Sequence, residues 1–166
     1  MSTLTAVPRL QTVLVLLDVA RRQVGLPIAV VQDVVKVQRA GPGMAWRIHR
    51  MSVAAICPPG MLAVGDRCVP LVELCERLGE PPAASVRRLR SAVIVQSGEH
   101  ILGLLVDAVA DIIEARCSAL RPVVPTDGLH PAVRQLLRLD EREIEVLDAD
   151  LLLDTPAARG NLLWRP

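Results

Sequence analysis

The sequence predicts an all-β fold, a barrel or a pair of barrels with few short helices, and three observations carry that expectation. Half of the 166 residues are hydrophobic, yet there is no Phe or Tyr and only two Trp, so the core must be built from Val, Leu and Ile. Many of these side chains branch at Cβ, which restricts χ1 and favours strands. The apolar runs are also short and lie between Gly, Pro and Asp clusters, the spacing of many short strands rather than of long helices.

Each element follows from its own residues. Residues 12–19 (TVLVLLDV) read as a strand, and residues 23–28 as a second one after a turn at 20–22. In residues 29–37, Val30, Val31, Val34 and Val35 cluster at helical spacing, which fits a helical turn running into a strand. Residues 39–59 carry AGPG and Pro-Pro signals around a strand expected within 44–56. The best-marked stretch is 60–79. Met61, Leu62 and Val64 lead into Gly65-Asp66, and Cys68, Val69, Leu71, Val72 and Leu74 lead out, two apolar runs around a turn-forming pair.

A Pro-Pro-Ala-Ala loop follows at 80–85. Residues 91–96 and 100–106 form a second hairpin around Ser97-Gly98, and 109–114 continue as a strand. Prolines extend 121–125. Residues 131–139 read as a short amphipathic helix, and 143–147 as a strand before a terminal LLLD segment. No internal repeat or low-complexity tract is evident along the chain.

Composition narrows the function. With 19 basic and 18 acidic residues the net charge is +1, so no global field draws nucleic acid or an anionic membrane. The aromatic shortage removes the stacking faces that single-stranded nucleic acid and sugars require. The apolar run 13–17 is too short for a span and is followed by Asp18 and Arg21-Arg22, so neither a signal peptide nor a transmembrane helix is expected. That points to a cytoplasmic protein. Cys57, Cys68, Cys75 and Cys117 show no CxxC spacing and read as small buried apolar groups, with no metal and no cofactor implied.

Catalytic constellations do not assemble. Asp107 with Asp111, and Asp148 with Asp150, are spaced to share a strand face, but no His lies close to either pair, so they read as solvated carboxylates. His49, His100 and His130 are scattered singles, and Gly41-Pro42-Gly43 is a turn without the GK[ST] of a phosphate loop. The expected protein is not an enzyme.

The order of segments resembles the CheW coupling proteins of bacterial chemosensory arrays over residues 13–154, with residues 1–12 and 155–166 as tails. Val31-Gln32-Asp33-Val34 stands where that family has V-Q-E-I. The family's G-x-x-N-L-R-G-x-x-x-P-x-x-D-L falls on residues 60–74, keeping Gly60, Pro70 and Leu74 with Glu73 at the acidic position. Gly103 to Val109 matches G-x-x-V-D-x-V, and Arg121-Pro122 and EVLDADLLL are similar as well.

The resemblance implies two five-stranded SH3-like barrels on a common core. It also implies a non-catalytic adaptor that ties chemoreceptor cytoplasmic tips to the regulatory domain of a CheA-type histidine kinase. Carried over residue by residue, the implied partner-binding positions are Val31, Asp33, Gly60, Ala63, Gly65 and Asp66. Ala63-Val64-Gly65-Asp66 replaces the family's N-L-R-G, so the Asn and Arg are missing and Asp33 lacks its cation. Residues 31–60 are also longer than usual, by roughly eight residues. These departures are similar to those of divergent coupling proteins such as the gliding-motility type. A regulatory or small-ligand-binding barrel outside an array is the alternative reading. The bare residues also permit simpler roles: Val31 as core, and Gly60 and Gly65-Asp66 as turn formers.

Overall fold

In the computed structural model, residues 11–38, 45–50, 57–81 and 89–153 are described. Alternating branched aliphatics form β1 (Gln11–Val19) and β2 (Arg22–Pro27), a hairpin with Ala20 at φ 55° in its turn. A single 3-10 turn at Ile28–Val30 leads into β3 (Val31–Gln38), so the helical turn before a strand is present. Of the strand expected in 44–56, β4 (Trp46–Ile48) is seen, and residues 51–56 lie outside the described residues. The marked hairpin is β5 (Met61–Val64) and β6 (Arg67–Glu73), closed by α1 (Leu74–Arg77).

The second half runs β7 (Arg90–Ser97), β8 (His100–Val106), β9 (Ala108–Arg116), β10 (Leu120–Pro122), β11 (Val133–Leu139), β12 (Arg142–Leu147) and α2 (Ala149–Leu153). The helix expected at 131–139 is therefore a strand. Val133, Leu136 and Leu137 are buried in β11, but the first two pack on the core between the sheets while Leu137 faces its own sheet's interior. A register shift between Val133 and Gln135 puts Val133 and Leu136 on one face though they are three apart, and with Leu137 alternating to the other face the sequence imitates a helical period.

The strands form two assemblies. β3-β4-β5-β6-β8-β7 close into a barrel, and β10-β11-β12-β2-β1-β9 form a six-stranded sheet curled over its own small core. Each thus holds six strands where five were expected. Val37, Leu62, Val69, Ala92, Ile94 and Leu105 fill the barrel. A larger shared core, with Val15, Leu17, Val24 and Leu26 from one side and Val93, Val95, Leu102 and Leu104 from the other, joins the two units. Apolar area removed from water there contributes roughly 25 cal/mol per Å², and this core holds the halves as one body.

The chain is an internal duplication, which the sequence reading did not detect. Residues 13–38 and 91–116 correspond at a constant spacing of 78, so that Gly25 matches Gly103, Val31 matches Val109 and Asp33 matches Asp111. Pairing repeats at the same spacing: Leu14↔Pro27 and Leu16↔Gly25 recur as Ala92↔Leu105 and Ile94↔Gly103. Positive φ recurs too, at Ala20 and Gly98. The following hairpins match at a spacing of 75, Leu62 with Leu137 and Arg67 with Arg142, with Gly65 (φ 60°) answered by Asp140 (φ 54°).

Each repeat donates its first hairpin to the other's sheet. β1 of the first repeat pairs with β9 of the second, and β7 of the second pairs with β3 of the first, with matching registers. β2 joins β12 and β8 joins β6 in parallel, again equivalently. A Cβ on Gly103 would stand 2.7 Å from Leu71 Cδ1 and 3.4 Å from the Pro70 carbonyl, so a larger residue there would make the Leu71 side chain shift.

Candidate partner-binding surface

The crossover between the two units is built from charged residues. Asp107 is the single residue between β8 in the barrel and β9 in the curled sheet. Its Oδ2 accepts the Ala20 N–H at 2.8 Å, and its own N–H donates to the Asp18 carbonyl at 3.0 Å, pinning the β1–β2 turn to the crossover. Arg90, at the start of β7, places Nη1 on both carboxylate oxygens of Glu73, with Oε2 at 2.9 Å, and Nη2 3.5 Å from Asp107 Oδ1. Burial lifts the Glu73 carboxyl above its ordinary value, and the Arg90 hydrogen bond and charge only partly offset that rise. Glu73 and Asp107, both positions of the matched motifs, therefore serve the joint between the units. The expectation that Asp107 and Asp111 both lie on a solvated face holds only for Asp111.

Two equivalent apolar side chains are exposed on strands that pair with the shared core. Val34 pairs with Val93 and Ile112 pairs with Val15; Val93 and Val15 belong to the shared core, whereas Val34 is 41% and Ile112 57% exposed. Each is preceded by an aspartate, Asp33 or Asp111, whose Oδ1 accepts the next residue's N–H at 2.7 Å. A register shift accompanies both, so that one residue bulges from the strand. The result is two exposed apolar ridges, at Val34 and at Ile112, each preceded by an aspartate that faces the other side of its strand. Ile28, 40% exposed, adds apolar surface in the turn ahead of β3.

The six positions carried over from sequence do not converge. Val31 is half-buried and packs against the shared core, so the packing reading fits it. Asp33 is exposed and faces the other side of β3 from Val34. Gly60 is exposed at φ 82° and its carbonyl accepts the Leu71 N–H at 3.2 Å, a structural bend ahead of β5. Ala63 is 2% exposed in the barrel wall, which removes its methyl from any surface. Gly65 and Asp66 form the exposed hairpin tip. The pairs Arg47↔Ala63 and Gln38↔Arg47 set Gly65 level with Lys36, two strands away from β3 and three residues beyond Asp33, so a side chain at 65 does not oppose Asp33. Val34 and Ile112 were not singled out by sequence reasoning. Their signal was there: each is one of two adjacent branched residues, and adjacent residues of a strand face opposite ways.

The cysteines need a correction. Cys57 and Cys68 form a disulfide with Cα atoms 5.7 Å apart, Cys75 is buried as expected, and Cys117 is exposed. The pairing was hidden because the hairpin brings together positions eleven residues apart, a spacing no short motif marks. Among the described residues no cluster of His, Cys, Asp and Glu could hold a metal, and no helix is long and apolar enough to cross a membrane. His130 Nδ1 accepts the Ala132 N–H, and Asp148 caps the Asp150 N–H while pairing with Arg134.

A sequence model of the CheW-like domain matches residues 13–157. A probable chemotaxis protein CheW from Rhizobium etli is 28% identical over 95 residues, which cover 56% of this chain and 61% of that protein. The crystal structure of the scaffolding protein TtCheW from Thermoanaerobacter tengcongensis superposes with a TM-score of 0.67 at 20% identity, over 87% of this chain and 94% of that one. The family match spans residues 13–157, most of the length, and the chain belongs to the CheW-like domain family.

Proposed function

We propose that this protein is a non-catalytic adaptor of a bacterial chemosensory array in the cytoplasm, docking the helical tip of a chemoreceptor on the apolar ridges beside the shared core. The observation that carries the reading is the exposure of Val34, whose strand partner Val93 belongs to the shared core. An apolar stripe of a helical hairpin removes such a side chain from water. The CheW-like family supports the assignment, because its members couple receptors to CheA-type kinases. Kinase coupling is weak in this reading, because the hairpin tip at Gly65-Asp66 presents no cation at the family's arginine position.

The test is isothermal titration of the protein and its Val34→Asp variant against a receptor signalling tip. Val34 is a cleaner probe than Val31, whose contact with the shared core would confound binding with folding. A charge buried in the interface without a partner weakens a micromolar complex by at least about tenfold. Equal binding by a folded Val34→Asp variant removes the ridge from the interface. Absence of binding by the parent removes the receptor as partner.

A further inference from the structure

We propose that Cys57–Cys68 is a reversible redox latch on the β5–β6 hairpin, opened by a dithiol reductant and not required for the fold. The internal duplication supplies the comparison. At the spacing of 75 that relates the two hairpins, Cys57 corresponds to Ala132 and Cys68 to Glu143, so the second hairpin carries no covalent link. There the lead into β11 is anchored by packing: Ala132 is 3% exposed in the shared core, and its carbonyl accepts the Asp148 N–H at 2.8 Å. In the first hairpin the residue in that place is half-buried Cys57, and the disulfide fastens it to β6.

One architecture thus appears twice in one molecule, once held by apolar packing and once by a bond that a reductant can break. Both sulfurs belong to half-buried residues rather than to the interior, whereas Cys75 is buried. The neighbouring β4 is three residues long and holds β3 and β5 by two register pairs on each side, so on the β5 side the hairpin is held by few ladder pairs, whereas β6 pairs with β8 at three positions. In a compartment that keeps thiols reduced, a disulfide of this kind is a state that comes and goes.

The chemistry balances as thiol–disulfide exchange. A reductant thiolate attacks one cysteine sulfur, the Cys57–Cys68 bond breaks, and the departing thiolate takes up a proton. The second thiol of the reductant then resolves the mixed disulfide, leaving two protein thiols and an oxidised dithiol. The latch concerns this hairpin alone and stands whatever partner the ridges bind.

The test uses the full chain in oxidised and dithiothreitol-reduced forms, read by thiol alkylation with intact mass, circular dichroism and amide hydrogen exchange. The oxidised protein should offer two alkylatable thiols after denaturation, Cys75 and Cys117. Native treatment with dithiothreitol should expose Cys57 and Cys68 while the β spectrum persists. Exchange should speed up at least about tenfold over residues 57–69 and remain unchanged in β11 and β12. A Cys57→Ser, Cys68→Ser variant should reproduce the reduced pattern without reductant. Four free thiols after oxidation, resistance of the bond to native reduction, or loss of protection across both sheets on reduction would each overturn the proposal.

Discussion

Arg90 shows how a single side chain serves the joint between the two units. Its guanidinium answers two half-buried carboxylates, Glu73 at the end of β6 and Asp107 at the crossover from β8 to β9, and removing it leaves both without this cation. Arg90→Met should therefore destabilise the protein by about 3–5 kcal/mol in urea titration. Glu73 behaves differently because burial raises its pKa above 4.5. A carboxyl raised on folding contributes stability that is full below the unfolded value and lost as pH rises through the folded one. Glu73→Gln is neutral throughout, so the stability difference between variant and parent should shift in the variant's favour as pH climbs past 4.5, measured by denaturation across that range. Gly65 supplies the other residue-scale prediction. At φ 60° a β-branched side chain is strained, so Gly65→Val should cost about 1–2 kcal/mol, whereas Gly65→Asn should cost less, since Asp140 already occupies the equivalent turn at φ 54°.

At the scale of elements, the equivalent strands β3 and β9 carry the same pattern of exposure, bulge and aspartate cap. The cap occupies a strand N–H that would otherwise be open to pairing, and the bulge twists the strand locally. The β5–β6 hairpin has a second fastening in its disulfide. Closing a loop of this length in the unfolded chain is worth about 2–3 kcal/mol, so Cys57→Ser with Cys68→Ser should lower stability by that much under oxidising conditions and have no effect with reductant present. Equal stability of parent and variant under oxidising conditions would show that the bond adds no constraint.

The whole molecule is a reciprocal exchange of hairpins between two repeats. Neither half contains a complete sheet: the first supplies β1 and β2 to the sheet completed by β9–β12, and the second supplies β7 and β8 to the barrel. Fragments covering residues 1–84 and 85–166 should each lack a folded β spectrum alone and regain it on mixing. A stable fold in either fragment by itself would contradict the exchange. The same architecture makes unfolding a single cooperative step, because the shared core belongs to both repeats and opens only when both do.

The strand content, the two hairpins and the family were legible in the sequence because each rests on local signals: branched runs, turn residues such as Gly65-Asp66 and Ser97-Gly98, and motif residues at fixed spacing. The helix expected at 131–139 failed where a bulge shifted the register, since periodicity alone does not distinguish a strand that switches faces from a helix. The duplication stayed hidden because two repeats need only preserve burial, which Leu16 and Ile94, or Val15 and Val93, do with different residues. Tertiary structure decided the site. It buried Ala63, separated Gly65 from Asp33, paired Cys57 with Cys68, set Glu73 and Asp107 on Arg90, and left Val34 and Ile112 exposed opposite strand partners of the shared core. The reason is physical: which face of a strand meets water depends on the sheet packed against it, and here each sheet is completed by a strand from the other repeat, far away in the sequence.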